Sequence, residues 1–585
     1  MTTDNTYDIA GADKFNLDPA IHRLPHQRVA MVTDADCPYR VLEIVAQYDQ
    51  DSSVLLAVLS AALCDEHIEK LVAANRGLED LASLEELKIT NEESNHSSIV
   101  AIDDPMHKTF CSIPWVHAGT NANGSVRACC QMIFPDPLAN TGLVTKEDGS
   151  LLTFDDKIAE HRNERLWKTV RSDMLKGKRS SVCKLCWSEE DASVGETASS
   201  KRIYANKLFP EAMENAVTKT KEDGTIDHND FPIEWWDLRF GNKCNLKCRT
   251  CGPSNSDLWY KDHRDMKVED GHGKITVDLD GEKAEIVTNK KGQLEIPHMK
   301  SWYEGSQLWM DINNNIADIK RIYFTGGEPT INHKHRELLE NIISKGYAGE
   351  VDLEYNTNMA ASSKSYFEIW KSFKSVHQGL SLDGMGSHFE YIRHPGKWTK
   401  TERLLKELDS AAGLDHLQAN ITLTCSVMNV FHIPDFMYWL KEQNFSKISN
   451  EMHVHLVYGP APYSIQYMPE RLKFEINEMY ERFISHIWKR WPEDKCTTHD
   501  MLWCDITEQT LRQVLGQMWS VESNAEHWNN FKRLTTQLDK LRKEDWQESL
   551  PDLAAAIGRM NDAEQRKQRT KLSDYSNKKV IPPKI

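Results

Sequence analysis

The sequence predicts an α/β fold: a partial parallel (β/α)6 sheet, curved or barrel-like, preceded by a small cysteine-rich domain and flanked by helical extensions. Three observations carry this. Strand-like and helical segments alternate from residue 233 onward, eight of the thirteen cysteines lie between Cys111 and Cys251, and helical periodicity continues past about residue 466.

Residues 1–105 open with polar, irregular sequence and continue with a helical pattern from Val41 to Leu87. Their longest apolar stretch, Ser52 to Cys64, falls short of the roughly 20 residues a membrane span needs and is expected to be a buried helix. Residues 106–200 form the cysteine domain. There the apolar run Ile113–Gly119, an Asn/Gly-rich turn at Asn121–Gly124 and Ser125–Cys130 predict a hairpin that brings Cys111 and Cys129 together. A helix with Ile158, Leu166, Val170 and Met174 on one stripe, stopped by Gly177, delivers the chain to Cys183 and Cys186.

From 233 to 465, strand candidates fall at 234–240, 319–325, 351–358, 376–383, 421–429 and 452–459. After the first gap they recur about every 30 to 40 residues, the length of a right-handed βαβ crossover, so the sheet is parallel. The segment 333–346 illustrates the intervening helices, with Leu338, Leu339, Ile342 and Ile343 on one stripe and Gly346 as the stop. The long first gap holds an inserted β-meander near 270–298, signalled by Asp280-Gly281 between two apolar runs. Helices follow over 466–564. Residues 565–585, with seven Lys or Arg against one acidic residue, read as a solvated basic tail.

Composition narrows the function. A balance of 71 basic against 88 acidic residues, net −17, disfavours coating nucleic acid or an anionic membrane. The first residues lack the basic and apolar regions of a signal peptide, which predicts a cytoplasmic protein. Thirteen cysteines, an odd number in such a setting, point to metal or redox chemistry rather than disulfides.

The first strand candidate leads into Cys244-Asn-Leu-Lys-Cys248-Arg-Thr-Cys251. Three thiolates within eight residues suit three irons of a cubane and leave the fourth iron open, whereas a structural zinc knuckle wants paired CxxC units and a fourth ligand nearby. The second candidate ends in Thr325-Gly326-Gly327-Glu328-Pro329, where two glycines permit close backbone approach to a ligand. Alone, that triplet is a tight turn. With the CxxxCxxC loop one strand earlier, it resembles the radical S-adenosylmethionine superfamily.

That resemblance implies a 4Fe-4S cluster on Cys244, Cys248 and Cys251, with S-adenosylmethionine held at Gly326, Gly327 and Glu328. It further implies reductive cleavage of the cofactor to a 5′-deoxyadenosyl radical that abstracts a substrate hydrogen. By the same resemblance, Asn358, Ser381, Asp383, Arg393 and Asn429 fall at later strand ends that hold the cofactor, Ser381 and Asp383 near the ribose and Arg393 near the methionyl carboxylate. Thr250 and Met359 stand where relatives often carry an aromatic residue and a glycine.

Cys111, Cys129 and the Cys183-x-x-Cys186 pair, with Pro114-Trp115, Gly124-x-Val126 and Leu166-Trp167, are similar to half of a SPASM module, the twitch domain. That likeness implies a second, auxiliary 4Fe-4S cluster, with structural zinc as the alternative. Here the module precedes the barrel, whereas in most relatives it follows. Cys130 is an alternative to Cys129, and His117 is expected to be a half-buried strand residue. The resemblance implies a flavodoxin- or ferredoxin-like electron donor and a peptide or protein substrate. The alternatives are a dehydrogenase acting on a sugar-like small molecule and a zinc-stabilised binding or structural protein without radical chemistry.

Overall fold

The computed structural model describes residues 108–563, except 133–142, 193–199, 270–274, 280–281, 298, 300–301, 360–363, 458 and 493–494, together with backbone strands within 16–58. The basic tail, and the expected helical pattern after residue 58, lie outside the described residues. Two units divide the chain, Met1–Asp103 and Asp104–Ile585.

In the first unit, Gln27–Thr33, Val41–Tyr48 and Val54–Val58 form consecutive antiparallel strands. This corrects the helical reading of 41–48 and of the apolar run beginning at Ser52. Val41, Ile44 and Val45 satisfy helical spacing, but the run is β-branched and finds cross-strand partners, and pairing overrides a spacing that fits both states.

The second unit is built on one eight-stranded sheet. β1 (His117–Thr120) and β2 (Val126–Arg127) form a hairpin where one was expected, but shorter, because Ile113–Val116, with Pro114 in its first turn, is a helical turn and not part of the strand. β3 (Trp235–Leu238), β4 (Arg321–Phe324), β5 (Asp352–Thr357), β6 (Ser375–Ser381), β7 (Leu417–Cys425) and β8 (Ile448–Leu456) follow side by side in chain order, all parallel. Helices His333–Ser344, Lys364–Trp370, Trp398–Asp409 and Ile433–Gln443 connect the last five. β1 pairs in parallel with β3, His117 opposite Trp235, so the cysteine domain continues the main sheet at its edge. In the insertion, Thr276–Leu279 pairs antiparallel with Glu282–Glu285, and Val287–Thr288 with Leu294–Glu295. Glu470–Arg490, Thr498–Trp519 and Ala525–Arg542 are the main helices of the C-terminal region.

Parallel strands covered on both faces read as continuous apolar runs, but these alternate. Ile322, Phe324, Leu353, Tyr355, Val376, Leu380, Ile421 and Leu423 are buried on one face. The intervening Tyr323, Glu354, Asn356, His377, Ser381, Asn420 and Thr422 are only partly buried or exposed. One face therefore packs against the core and the other is polar.

Several histidines are buried in neutral form. His335 shares hydrogen bonds with the Tyr355 and Tyr366 hydroxyls at 3.0 and 3.1 Å, and burial lowers its pKa to about 3. Burial likewise lowers His117 to about 3 and His432 to about 4. Unfolded, each takes a proton near pH 6.5, so stability is fully present above that pH and is lost as pH falls toward 4. The urea midpoint is expected to be lower at pH 5.5 than at 7.5, and His335→Gln should narrow the difference. Equal midpoints for the unsubstituted chain would refute this.

Candidate functional site

The C-terminal ends of β3 to β7 converge on the cysteine loop. That loop is fixed largely by its own backbone and neighbours, with one contact to a thiol, the Leu246 N–H donating to Cys244 Sγ at 3.4 Å. The Cys244 N–H donates to Asp257 at 3.3 Å, the Cys251 N–H to the Cys248 carbonyl at 3.0 Å, and Trp259 Nε1 to that same carbonyl at 2.9 Å. The Lys247 and Arg249 N–H groups donate to the carbonyls of His394 and Ile392, both at 2.7 Å. Burial pushes Cys244 up to about 12, so its thiolate forms only against a compensating cation.

The Gly-Gly turn meets this loop directly. Gly326 and Gly327 both have positive φ, 77° and 55°. A Cβ on Gly327 would lie 2.3 Å from the Lys243 carbonyl oxygen, the acceptor for the Glu328 N–H at 2.9 Å. The glycines therefore first permit two protein backbones to touch, a role not visible in the triplet itself. The buried Glu328 carboxylate accepts from the Thr330 and Thr357 hydroxyls at 2.6 and 2.7 Å and from the Asn358 N–H at 2.7 Å. Its oxygens tie the end of β4 to the end of β5.

Asn358 reaches back to the cysteines: its Nδ2 is 3.8 Å from Cys244 Sγ and donates to Asn245 at 2.9 Å. Met359 has φ 58°, the conformation a glycine adopts freely, so the backbone shape survives the change of residue. Ser381 is half-buried at the last position of β6, opposite Thr422. Two residues on, the fully buried Asp383 is 2.9 Å from Arg393 Nε and accepts from the Thr424 N–H at 2.9 Å. Arg393 Nη1 lies 3.9 Å from Cys248 Sγ, which brings a guanidinium to the thiol. Asn429 is a brace: its Nδ2 donates to the Asp383 and Thr424 carbonyls at 2.9 and 3.0 Å. Of the residues expected at the cofactor, Asn358 and Arg393 approach cysteine sulfurs, while Glu328, Asp383 and Asn429 bond to protein groups.

The second cysteine set also converges. Cys111, Cys129, Cys183 and Cys186 line one small cavity of about 20 Å³, together with Lys201 and Arg202. Cys130 is not among its lining residues. His117 lies on β1 with its ring edge-on to Trp235, centroids 5.2 Å apart. Arg202 pairs with Glu190 at 2.6 Å.

Sequence reasoning missed a further group. His388, His432 and Asp552 are the one set of three metal-capable side chains among the described residues whose ligand atoms lie within 4.8 Å of one another. Their rings are stacked, centroids 3.8 Å apart and planes 5° from parallel, which aims the nitrogens side by side rather than at one point. His388 Nε2 is 2.8 Å from Asp552, and His432 Nε2 accepts from the Met385 N–H at 3.2 Å. This is a hydrogen-bonded stack securing the turn after Asp383.

No family model matches the chain, and no curated protein does. Among solved structures, it is similar to native anSMEcpe with bound AdoMet: 18% identity, 44% of this chain and 59% of that one, TM-score 0.26. The same protein with bound AdoMet and Cp18Cys peptide gives 18%, 43%, 58% and 0.26. Streptococcus suis SuiB bound to S-adenosylmethionine gives 14% identity over 49% of this chain and 60% of that one, TM-score 0.28. The chain thus spans less than two thirds of these structures. Among the described residues, no helix is long and apolar enough to cross a membrane.

Proposed function

We propose that this chain is a radical S-adenosylmethionine enzyme. The observation that carries the reading is the meeting of the cysteine loop with residues that follow three later strands, Lys243 with Glu328, Cys244 with Asn358, and Cys248 with the Arg393–Asp383 pair, which Thr424 and Asn429 brace from the end of a fourth. A structural zinc knuckle has no use for such a convergence.

The thiols of Cys244, Cys248 and Cys251 would hold a four-iron cluster, with Arg393 offsetting part of the thiolate charge. When bound, that cluster supplies an open iron for S-adenosylmethionine and the electron that cleaves it to the 5′-deoxyadenosyl radical. Glu328 and Asn429 keep the strand ends in register, and the polar sheet face offers hydrogen-bonding side chains to a substrate. Cys111, Cys129, Cys183 and Cys186 would hold an auxiliary cluster. The substrate is proposed to be a peptide or protein, and the electron donor flavodoxin- or ferredoxin-like.

Anaerobic reconstitution with iron counting tests both metal sites. The chain is expected to hold about eight irons, four per cluster. One zinc with only about four irons would make the second set a structural zinc site.

A further inference from the structure

We propose that Asp539 and Glu544 are positioning residues for the cysteine loop, acting through Arg249. The proposal rests on reading Cys244, Cys248 and Cys251 as cluster ligands. Arg249 stands between two of them and is fully buried. Its Nη2 lies 2.5 Å from Asp539 and 2.6 Å from Glu544, at the end of helix Ala525–Arg542 and just beyond it, some 290 residues away. The guanidinium is 3.6 Å from the centroid of the Tyr391 ring, and the Tyr391 hydroxyl donates to the same Asp539 oxygen at 2.8 Å. A buried guanidinium is strongly disfavoured without such partners, so the loop and the helix are held as one unit.

Glu544 has a second partner, His394, at 2.5 Å. His394 accepts from the Lys247 N–H, and Ile392 accepts from the Arg249 N–H. One carboxylate therefore grips both sides of a backbone pairing, with Cys248 on one side and Arg393 on the other. A second link runs alongside: Lys247 to Asp262 at 2.8 Å, and Asp262 to Arg542 at 2.8 Å. The C-terminal helix thus fixes the cluster loop relative to Arg393, the guanidinium beside Cys248. It is part of the site rather than an appendage.

The test uses the isosteric variant Asp539→Asn/Glu544→Gln in the anaerobically reconstituted full chain. The control is Glu475→Gln, which breaks the ion pair to Arg559 farther along the same C-terminal region, 2.7 Å from Nε. Paramagnetic resonance and redox titration read the reduced three-cysteine cluster. The double variant is expected to show an altered spectrum and a higher reduction potential, because two negative charges are removed near the cluster, with S-adenosylmethionine cleavage falling about tenfold. The control should match the unsubstituted chain. A folded double variant with unchanged spectrum and potential overturns the proposal, as does a control showing the same changes. If the double variant does not fold, Glu544→Gln alone, which leaves Asp539 on Arg249, gives the same reading at smaller amplitude. An unsubstituted chain without a cluster on the three cysteines overturns the functional reading instead.

Discussion

Replacing Cys244, Cys248 and Cys251 together by Ala is expected to abolish 5′-deoxyadenosine formation while leaving a folded chain with about four irons on the other cysteine set. The fold should survive because the loop is held by groups the substitution does not touch. The Lys247 and Arg249 N–H groups keep their acceptors, the Cys248 carbonyl keeps Trp259, and Arg249 keeps Asp539 and Glu544. The loss of function should be complete because the second cysteine set, Cys111, Cys129, Cys183 and Cys186, lines a separate cavity. Product chromatography and iron counting read the two effects independently. Undiminished 5′-deoxyadenosine from the triple variant would sink the enzymatic reading.

The parallel strands were legible because β5 to β7 are alternating runs and β3 is a short apolar one, each followed by a loop rich in polar or glycine residues. Each of the six candidates overlaps one of β3 to β8, those for β7 and β8 displaced toward the strand end, at 421–429 against Leu417–Cys425 and 452–459 against Ile448–Leu456. Site residues at strand ends were legible for the same reason, since strand order alone brings loop after loop to one edge. Partner choice was not. Nothing local says that the Glu328 carboxylate binds Thr357 rather than a ligand, because the two residues belong to different strand ends that meet only once the sheet forms. Nor does local sequence say that β1 pairs with β3 across more than a hundred residues.

Arg249 shows where a signal was available. Lys247 and Arg249 place two cations inside a cysteine loop, and burying them demands carboxylates from elsewhere. The sequence marks that demand without identifying Asp262, Asp539 or Glu544 as the answer. The first unit shows the opposite failure. There the apolar spacing over Val41–Tyr48 fits helix and strand alike, and only the antiparallel partner strands decide between them.

Gly327→Val is expected to weaken S-adenosylmethionine binding by at least about tenfold, or about 1.4 kcal/mol. The sequence alone predicts that the cluster would be spared, since the glycine would face only the cofactor. The geometry revises that. A Cβ at this position meets the Lys243 carbonyl carbon at 3.0 Å and its oxygen at 2.3 Å, immediately before Cys244, and these are backbone atoms that cannot rotate away. Iron at the three-cysteine site should therefore fall along with cofactor affinity. Positive φ adds its own cost of about 1 kcal/mol for a residue with a side chain, so strain must be separated from collision. Gly346→Val provides the separation: its φ is 82°, and nothing lies within 4 Å of an added Cβ. Gly346→Val should lower the melting temperature slightly and leave iron and cofactor binding intact, whereas Gly327→Val should lower all three. A folded, iron-loaded Gly327→Val chain with unchanged affinity would show that the turn can move away from Lys243, and the contact between strand end and cysteine loop would no longer support a cofactor site there.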